Sequence, residues 1–275
     1  MPTIQEISHS LTAVSRWLPY PNLPISELLF DSRRLLRPEK TIFFAIKTEK
    51  HDGHDYILEL INQGVRNFVI TEDVSRWKVF DDCNFIRVRD GVTALQQIAA
   101  NHRQQFTIPV VGITGSNGKT IVKEWLTQML SDDFHLIASP NSYNSQIGVA
   151  FSVWQMRPHH DFAIFEAGIS QPDEMVRLEK IIRPNIGILT NIGSAHAQFF
   201  TDERQKLSEK LKLFKHCSTI IYCNDNELIQ NAFLKKEYAN KQLLSWGHRP
   251  ESTFCITHEE LRDHQTIITI NDRDF

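Results

Sequence analysis

Val110-Val111-Gly112-Ile113-Thr114-Gly115-Ser116-Asn117-Gly118-Lys119-Thr120 decides how this chain is read. A short apolar run enters a glycine-rich turn, and residues 119–131 continue with the periodicity of an amphipathic helix. Strand, turn and helix in that order make a phosphate-binding loop. Glycine lets the backbone curl, so that N–H groups along Gly115, Ser116, Asn117 and Gly118 face phosphate oxygens, and the helix N-terminus adds partial positive charge. Lys119 is placed to reach the β- and γ-phosphates, and the Thr120 hydroxyl to ligate Mg²⁺. One position departs from the common pattern GxxxxGK[ST], which has glycine where this chain has Ile113. The competing reading is a tight strand-to-helix turn that binds nothing.

Outward from the turn, Phe162-Ala163-Ile164-Phe165-Glu166 delivers one carboxylate at the end of an apolar run. At the carboxyl edge of a sheet Glu166 could hold Mg²⁺ directly or through water; otherwise it is a strand-end acid in solvent. Strand candidates recur at 186–190 and 219–223, with helical stretches at 119–131, 146–156, 173–182 and 203–215. This alternation predicts a doubly wound, mostly parallel sheet. Upstream, apolar positions from Ile4 to Leu18 follow helical spacing, and strands are expected at 28–30, 41–46, 67–70 and 85–88. A helix over 56–63 stops at Gly64, and Asp90 caps another running to about Gln105. The character changes at Phe106-Thr107-Ile108-Pro109, which divides an α/β domain over 1–106 from a second over 107–275.

The bulk properties fit. The chain has 275 residues, 41% hydrophobic and 23% charged, enough to bury a core in each domain. A net charge of −3 argues against a nucleic-acid or anionic-membrane binder. No apolar run approaches the ~20 residues that span a bilayer, and the N-terminus lacks the basic and apolar regions of a signal peptide. Four scattered cysteines without a CxxC read as reduced thiols of a cytoplasmic protein. The sole Asn-Lys pair, Asn240-Lys241-Gln242-Leu243, lacks the aspartate of a guanine-reading motif, which weakens a GTPase reading.

The glycine spacing of 112–120 resembles that of the Mur ligase family, ATP-dependent amide ligases of peptidoglycan precursor synthesis. Asp31-Ser32-Arg33, Ile42-Phe43-Phe44-Ala45-Ile46-Lys47, Asp52-Gly53-His54-Asp55 and Gly64 resemble the uridine-nucleotide domain of its later-step members. Asn144-Ser145-Gln146-Ile147-Gly148-Val149, Phe165-Glu166-Ala167-Gly168-Ile169-Ser170, Thr190-Asn191-Ile192-Gly193-Ser194-Ala195-His196, Glu209-Lys210-Leu211-Lys212-Leu213-Phe214 and Tyr222-Cys223-Asn224-Asp225-Asn226 extend the likeness over most of the chain. Within the family it favours the fourth-step ligases, which join D-alanyl-D-alanine to UDP-MurNAc-tripeptide. Third-step ligases, which add a diamino acid, carry Thr-Thr-Pro and Glu-Val-Ser-Ser where this chain has Ser139-Pro140-Asn141-Ser142 and Glu166-Ala167-Gly168-Ile169.

The resemblance implies ATP and up to two Mg²⁺ as cofactors, with Thr120 and Glu166 serving the metal that bridges the phosphates. His196 is implied as ligand of a second metal; by itself it reads as a loop histidine. Lys210 stands where the family carries a lysine carbamylated by CO₂. The acid usually found two residues later is Lys212 here, and Lys206, Lys210, Lys212 and Lys215 also read as a solvated basic face. Asn224 and Asp225 are implied to meet adenine or ribose, against a plain strand-end turn, and Asn144 the γ-phosphate or acceptor, against a helix cap. Ser32 and Arg33 would hold uridine or diphosphate with Lys47 and His54 nearby, against a simple turn at Asp52-Gly53. The reaction implied is phosphoryl transfer to the tripeptide carboxylate, giving an acyl phosphate that the D-alanyl-D-alanine amine attacks. Family members also carry a third, C-terminal domain, so the chain is expected to be truncated, monomeric and unable to complete the ligation alone. The other readings are a nucleotide-binding module without turnover and a folylpolyglutamate-synthase-like ligase, which would lack the Asp-Ser-Arg and Asp-Gly-His motifs.

Overall fold

Local sequence rules set most elements. Thr3 opens α1 (Ile4–Ser10) with a reciprocal capping box: its hydroxyl accepts the Glu6 N–H at 3.3 Å, and the Glu6 carboxylate accepts the Thr3 N–H at 2.7 Å. The computed structural model describes residues 1–193, 199–262 and 265–274, in two units, Met1–Gln105 and Phe106–Phe275.

The first unit continues with β1 (Ala13–Trp17), β2 (Glu27–Leu29), β3 (Thr41–Phe44), α2 (Ile57–Asn62), β4 (Asn67–Ile70), β5 (Asn84–Val88) and α3 (Gly91–Arg103). Its sheet runs β1-β5-β4-β3-β2, parallel except for the antiparallel edge strand β1. Every residue of β3 and β4 is buried, as expected of parallel strands covered on both faces. Phe43, Phe68, Phe85 and Trp77 fill the core, with the Phe68 and Phe85 rings stacked 5.2 Å apart. The helical spacing of residues 4–18 is only half realised. The helix stops at Ser10, Thr12 N–H turns to Gln97 Oε1 at 3.2 Å, and Ala13–Trp17 alternate between half-buried and exposed on the sheet edge.

The second unit begins with β6 (Val110–Thr114) and α4 (Lys119–Leu130), followed by β7 (Leu136–Ala138), α5 (Gly148–Trp154), β8 (Phe162–Glu166), α6 (Glu174–Ile182), β9 (Ile186–Leu189), α7 (Glu203–Leu211), β10 (Thr219–Cys223), α8 (Glu227–Phe233), β11 (Gln242–Gly247), β12 (Phe254–Arg262), β13 (Gln265–Ile270) and β14 (Arg273–Asp274). The strands are ordered β14-β13-β12-β11-β10-β9-β6-β8-β7. They are parallel from β7 across to β12, and antiparallel from β12 to β14. The α/β, doubly wound, mostly parallel reading therefore holds, with an antiparallel meander added at one edge. Register fixes the important corner: Ile113 pairs with Glu166 on one side and Ile188 on the other. The carboxyl ends of β6, β8 and β9 thus share one sheet edge where the chain order reverses, the usual place for a ligand crevice. No helix among the described residues is long and apolar enough to cross a membrane.

Candidate active site

The turn after β6 needs its glycines. Gly115 has φ +150° and Gly118, at the N-cap of α4, has φ +79°. A methyl on Gly115 would lie 1.9 Å from Thr190 Oγ1. Ile113 sits two residues before Gly115 in fully buried extended strand, where no left-handed backbone calls for glycine. The segment after β9 braces the loop. Ser116 N–H donates to Asn191 O (2.9 Å), Asn117 N–H to Asn191 Oδ1 (3.0 Å), and Thr190 Oγ1 to Asn117 O (2.6 Å). The amides of Ser116 and Asn117 are therefore engaged by Asn191, which corrects the expectation that they face phosphate. The first N–H groups of α4 have no partner within the helix and remain suited to an anion.

Two ammonium groups converge on one carbonyl. Lys119 Nζ donates to Gly115 O at 3.0 Å and to Ser116 O at 3.3 Å, and Lys210 Nζ donates to Gly115 O at 2.9 Å. Lys206 Nζ donates to Gly193 O beside them. Lys119 and Lys210 form no salt bridge with a carboxylate among the described residues. Burial pushes the Lys210 pKa down to about 7, helped by the charges of Lys119 and Lys206. Burial also lowers Lys119, against the pull of Glu166. Lys210 is 2% exposed, so it is not part of a solvated basic face. Lys119, Lys210, Asn144 and Gly168 line a cavity of about 300 Å³.

Opposite stands an oxygen-rich corner. Glu166 is fully buried, which excludes a solvent-facing strand-end acid. Its Oε2 accepts from Thr120 Oγ1 at 3.1 Å and from Asn144 Nδ2 at 3.4 Å. Its Oε1 is buried without a hydrogen-bond partner. A hydroxyl and a carboxylate with an unsatisfied buried oxygen are the hard donors that Mg²⁺ takes together with phosphate oxygens, so these residues fit the ion. No cluster of three or more His, Cys, Asp or Glu among the described residues is placed to hold a metal, and magnesium of this kind does not require one.

The Mur ligase middle domain matches residues 113–273. The chain belongs to the Mur ligase family. It is 33% identical over 211 residues to the UDP-N-acetylmuramoyl-tripeptide–D-alanyl-D-alanine ligase of Synechocystis sp., covering 76% of this chain and 46% of that protein. A crystal structure of MurF from Acinetobacter baumannii superposes with a TM-score of 0.85 at 22% identity, covering 98% of this chain and 58% of that one. MurF ligase from Thermotoga maritima in complex with ADP gives 0.79 at 24% identity, covering 92% and 58%. The chain spans about half the length of the curated relatives it matches.

Other residues singled out from the Mur ligase resemblance fall as follows. Lys212 pairs with Glu209 (2.5 Å) and Asp173 (3.3 Å). His196 lies outside the described residues. Asn224 and Asp225 end β10, two strands from β6 at the same sheet edge. Asn224 is buried and donates to Ser252 Oγ at 3.4 Å, while Asp225 accepts from His248 N and His248 Nδ1, both at 2.8 Å. In the first unit, Ser32 follows β2 and Lys47 follows β3, at the carboxyl ends of neighbouring parallel strands. Arg33 is exposed and pairs with Asp31, Nε to Oδ1 at 2.8 Å. Lys47 pairs with Asp52 at 3.0 Å.

His54 is a correction. It is 5% exposed, Nδ1 lies 2.5 Å from Asp52 Oδ1, and Nε2 accepts the Thr71 N–H at 3.1 Å. Both nitrogens are spent inside the fold, so the ring is a strut and not a ligand contact. Burial would raise the Asp52 carboxyl, but hydrogen bonds from His54 and Lys47 outweigh it and hold the pKa at about 2. The sequence reading passed over Lys123, Thr190 and Asn191. Lys123 reads in the sequence as an ordinary helix lysine beside Glu124, and nothing local marks its burial; Asn191 was quoted in a motif without a role.

Proposed function

We propose that this chain supplies the nucleotide-handling parts of an ATP-dependent ligase that joins D-alanyl-D-alanine to UDP-MurNAc-tripeptide. The observation that carries the reading is the convergence of Lys119 and Lys210 on the Gly115 carbonyl, across from the Thr120–Glu166 pair, in a chain whose relatives bear that ligase's name.

Phosphoryl transfer asks a protein mainly for positioning and charge compensation. Lys119 and the N-terminal amides of α4 would hold the phosphate oxygens and offset the charge on the transferring group. Thr120 and Glu166 would hold Mg²⁺, which neutralises charge between the phosphates. Lys210 is poised for carbamylation because a buried amine with a pKa near 7 is substantially neutral, and therefore nucleophilic toward CO₂, at physiological pH. The carbamate would present anionic oxygens, with Lys119 and Lys206 nearby as counter-charges, for a second metal to which His196 also contributes. Asn144 lines the same cavity, where the tripeptide carboxylate would accept the phosphoryl group. The resulting acyl phosphate is attacked by the D-alanyl-D-alanine amine and phosphate leaves. Asn224 and Asp225 form the adenosine rim. In the Met1–Gln105 unit, Ser32, Arg33 and Lys47 receive the uridine diphosphate, with His54 bracing Asp52. The protein acts as a cytoplasmic monomer.

The test uses a polypeptide of the relatives' full length that contains this chain, supplied with Mg·ATP, UDP-MurNAc-tripeptide and D-alanyl-D-alanine. The reading expects UDP-MurNAc-pentapeptide and one phosphate released per product. Product formed with a free diamino acid instead, or no coupled phosphate, overturns it.

A further inference from the structure

The least expected residue of α4 is Lys123. Along the helix, Ile121, Trp125 and Met129 are exposed while Lys123 is 1% exposed. Its ammonium donates to Ser139 O and Asn141 O, both at 2.7 Å, and lies 2.7 Å from Glu124 Oε1. Three short contacts use its three protons. Glu166 Oε1 stands 3.5 Å away, near enough for charge but without a hydrogen bond.

The two carbonyls belong to a segment that matters. Asn141 has a left-handed backbone, φ +49°, a conformation asparagine adopts more readily than most side chains, and its captured carbonyl helps to hold it there. Ser139 Oγ accepts the Glu166 N–H at 3.2 Å. Further along, Ser142 Oγ lies 3.3 Å from Thr120 Oγ1, and Asn144 Nδ2 reaches Glu166 Oε2. Lys123 therefore ties three elements together: the helix bearing Thr120, the 139–144 segment and the strand end bearing Glu166.

We propose that Lys123 is a positioning residue of the magnesium corner. It pins the 139–144 segment and fixes Glu166 so that Oε1, ion-paired at 3.5 Å but without a hydrogen bond, is presented to the cation, a role that rests on the nucleotide-and-magnesium reading above. Repulsion of an arriving cation is a minor effect, because Glu124 and the two carbonyls already surround the ammonium. Removing Lys123 therefore costs alignment more than it relieves charge.

The test separates metal from nucleotide. ADP binding is titrated calorimetrically in EDTA, and then across a magnesium series, for the wild-type chain, Lys123→Met and Lys123→Arg. The expected result is at least a tenfold rise in the magnesium needed for half-maximal enhancement in Lys123→Met, affinity in EDTA within twofold of wild type, and partial recovery in Lys123→Arg. A general structural defect would weaken both affinities together and overturns the proposal, as does an unchanged or lowered magnesium requirement. If Lys123→Met does not fold, Lys123→Gln, which keeps an N–H donor, is read by the same criteria. A wild-type chain that shows no magnesium-dependent ADP binding overturns the functional reading and the proposal together, and so is told apart from failure of the proposal alone.

Discussion

Gly115→Ala is the sharpest single perturbation of the loop. The new methyl would lie 1.9 Å from Thr190 Oγ1 and 3.1 Å from both the N and O of Asn191, so Thr190 must rotate away. Rotation gives up the Thr190 hydroxyl bonds to Asn117 O at 2.6 Å and Thr114 O at 3.4 Å. Each such bond contributes about 0.5–1.5 kcal/mol net. Holding alanine at φ +150° costs a further ~1–3 kcal/mol. Together the loop is destabilised by about 2–6 kcal/mol, and its carbonyl at residue 115 is the common anchor of Lys119 and Lys210. If the lower figure is spent on binding, affinity for Mg·ATP falls ~30-fold. Calorimetric titration of the purified chain measures this directly. The double variant Gly115→Ala/Thr190→Ala removes the hydroxyl but not the backbone strain, so it should recover part of the loss and not all of it. Gly115→Ala binding Mg·ATP within threefold of wild type would refute the reasoning.

Lys210→Met should stabilise the chain in CO₂-free buffer. The folded-state pKa of Lys210, about 7, lies below the ordinary 10.5, so its penalty is full below pH 7, shrinks as pH rises and vanishes above about 10.5. The variant's gain should be at most ~4–5 kcal/mol near pH 7 and fade toward pH 10 in denaturant melts; a gain that grows with pH contradicts the assignment. His54→Ala removes a buried group bonded to Asp52 and Thr71 and should cost ~2–3 kcal/mol of stability in the first unit, read by urea unfolding. Arg33→Ala removes an exposed pair and should leave the urea-unfolding midpoint unchanged while weakening UDP binding at least fivefold. The reverse pattern would return the ligand role to His54.

The glycine turn was legible because few chemistries need glycine at those positions beside Gly118-Lys119-Thr120, and the strands 67–70 and 162–166 because parallel strands buried on both faces read as apolar runs. Residues 4–18 misled because apolar positions spaced for one helix also serve a short helix followed by an edge strand, and hydrogen bonding from Gln97, 85 residues away, decides between them. The strand Gln242–Gly247 was passed over, since its Ser245-Trp246-Gly247 end lacks an apolar run. Side-chain direction was the harder limit. His54 and Lys123 are polar residues whose partners, Thr71 and the Ser139–Asn141 carbonyls, lie at sequence separations of 16 residues or more, which no local pattern encodes. Whether Lys210 faced solvent or the loop likewise depended on the packing of α7 against the turn after β6.

The central claim is that the turn over 115–120 binds a nucleoside triphosphate with a magnesium ion held at Thr120 and Glu166. Titration of the 275-residue chain with a non-hydrolysable ATP analogue, in magnesium and in EDTA, for wild type and Lys119→Ala, tests it most directly. The account predicts one-to-one binding in magnesium, at least tenfold weaker binding in EDTA and loss of binding in Lys119→Ala. Binding of equal strength under all of these conditions would contradict it.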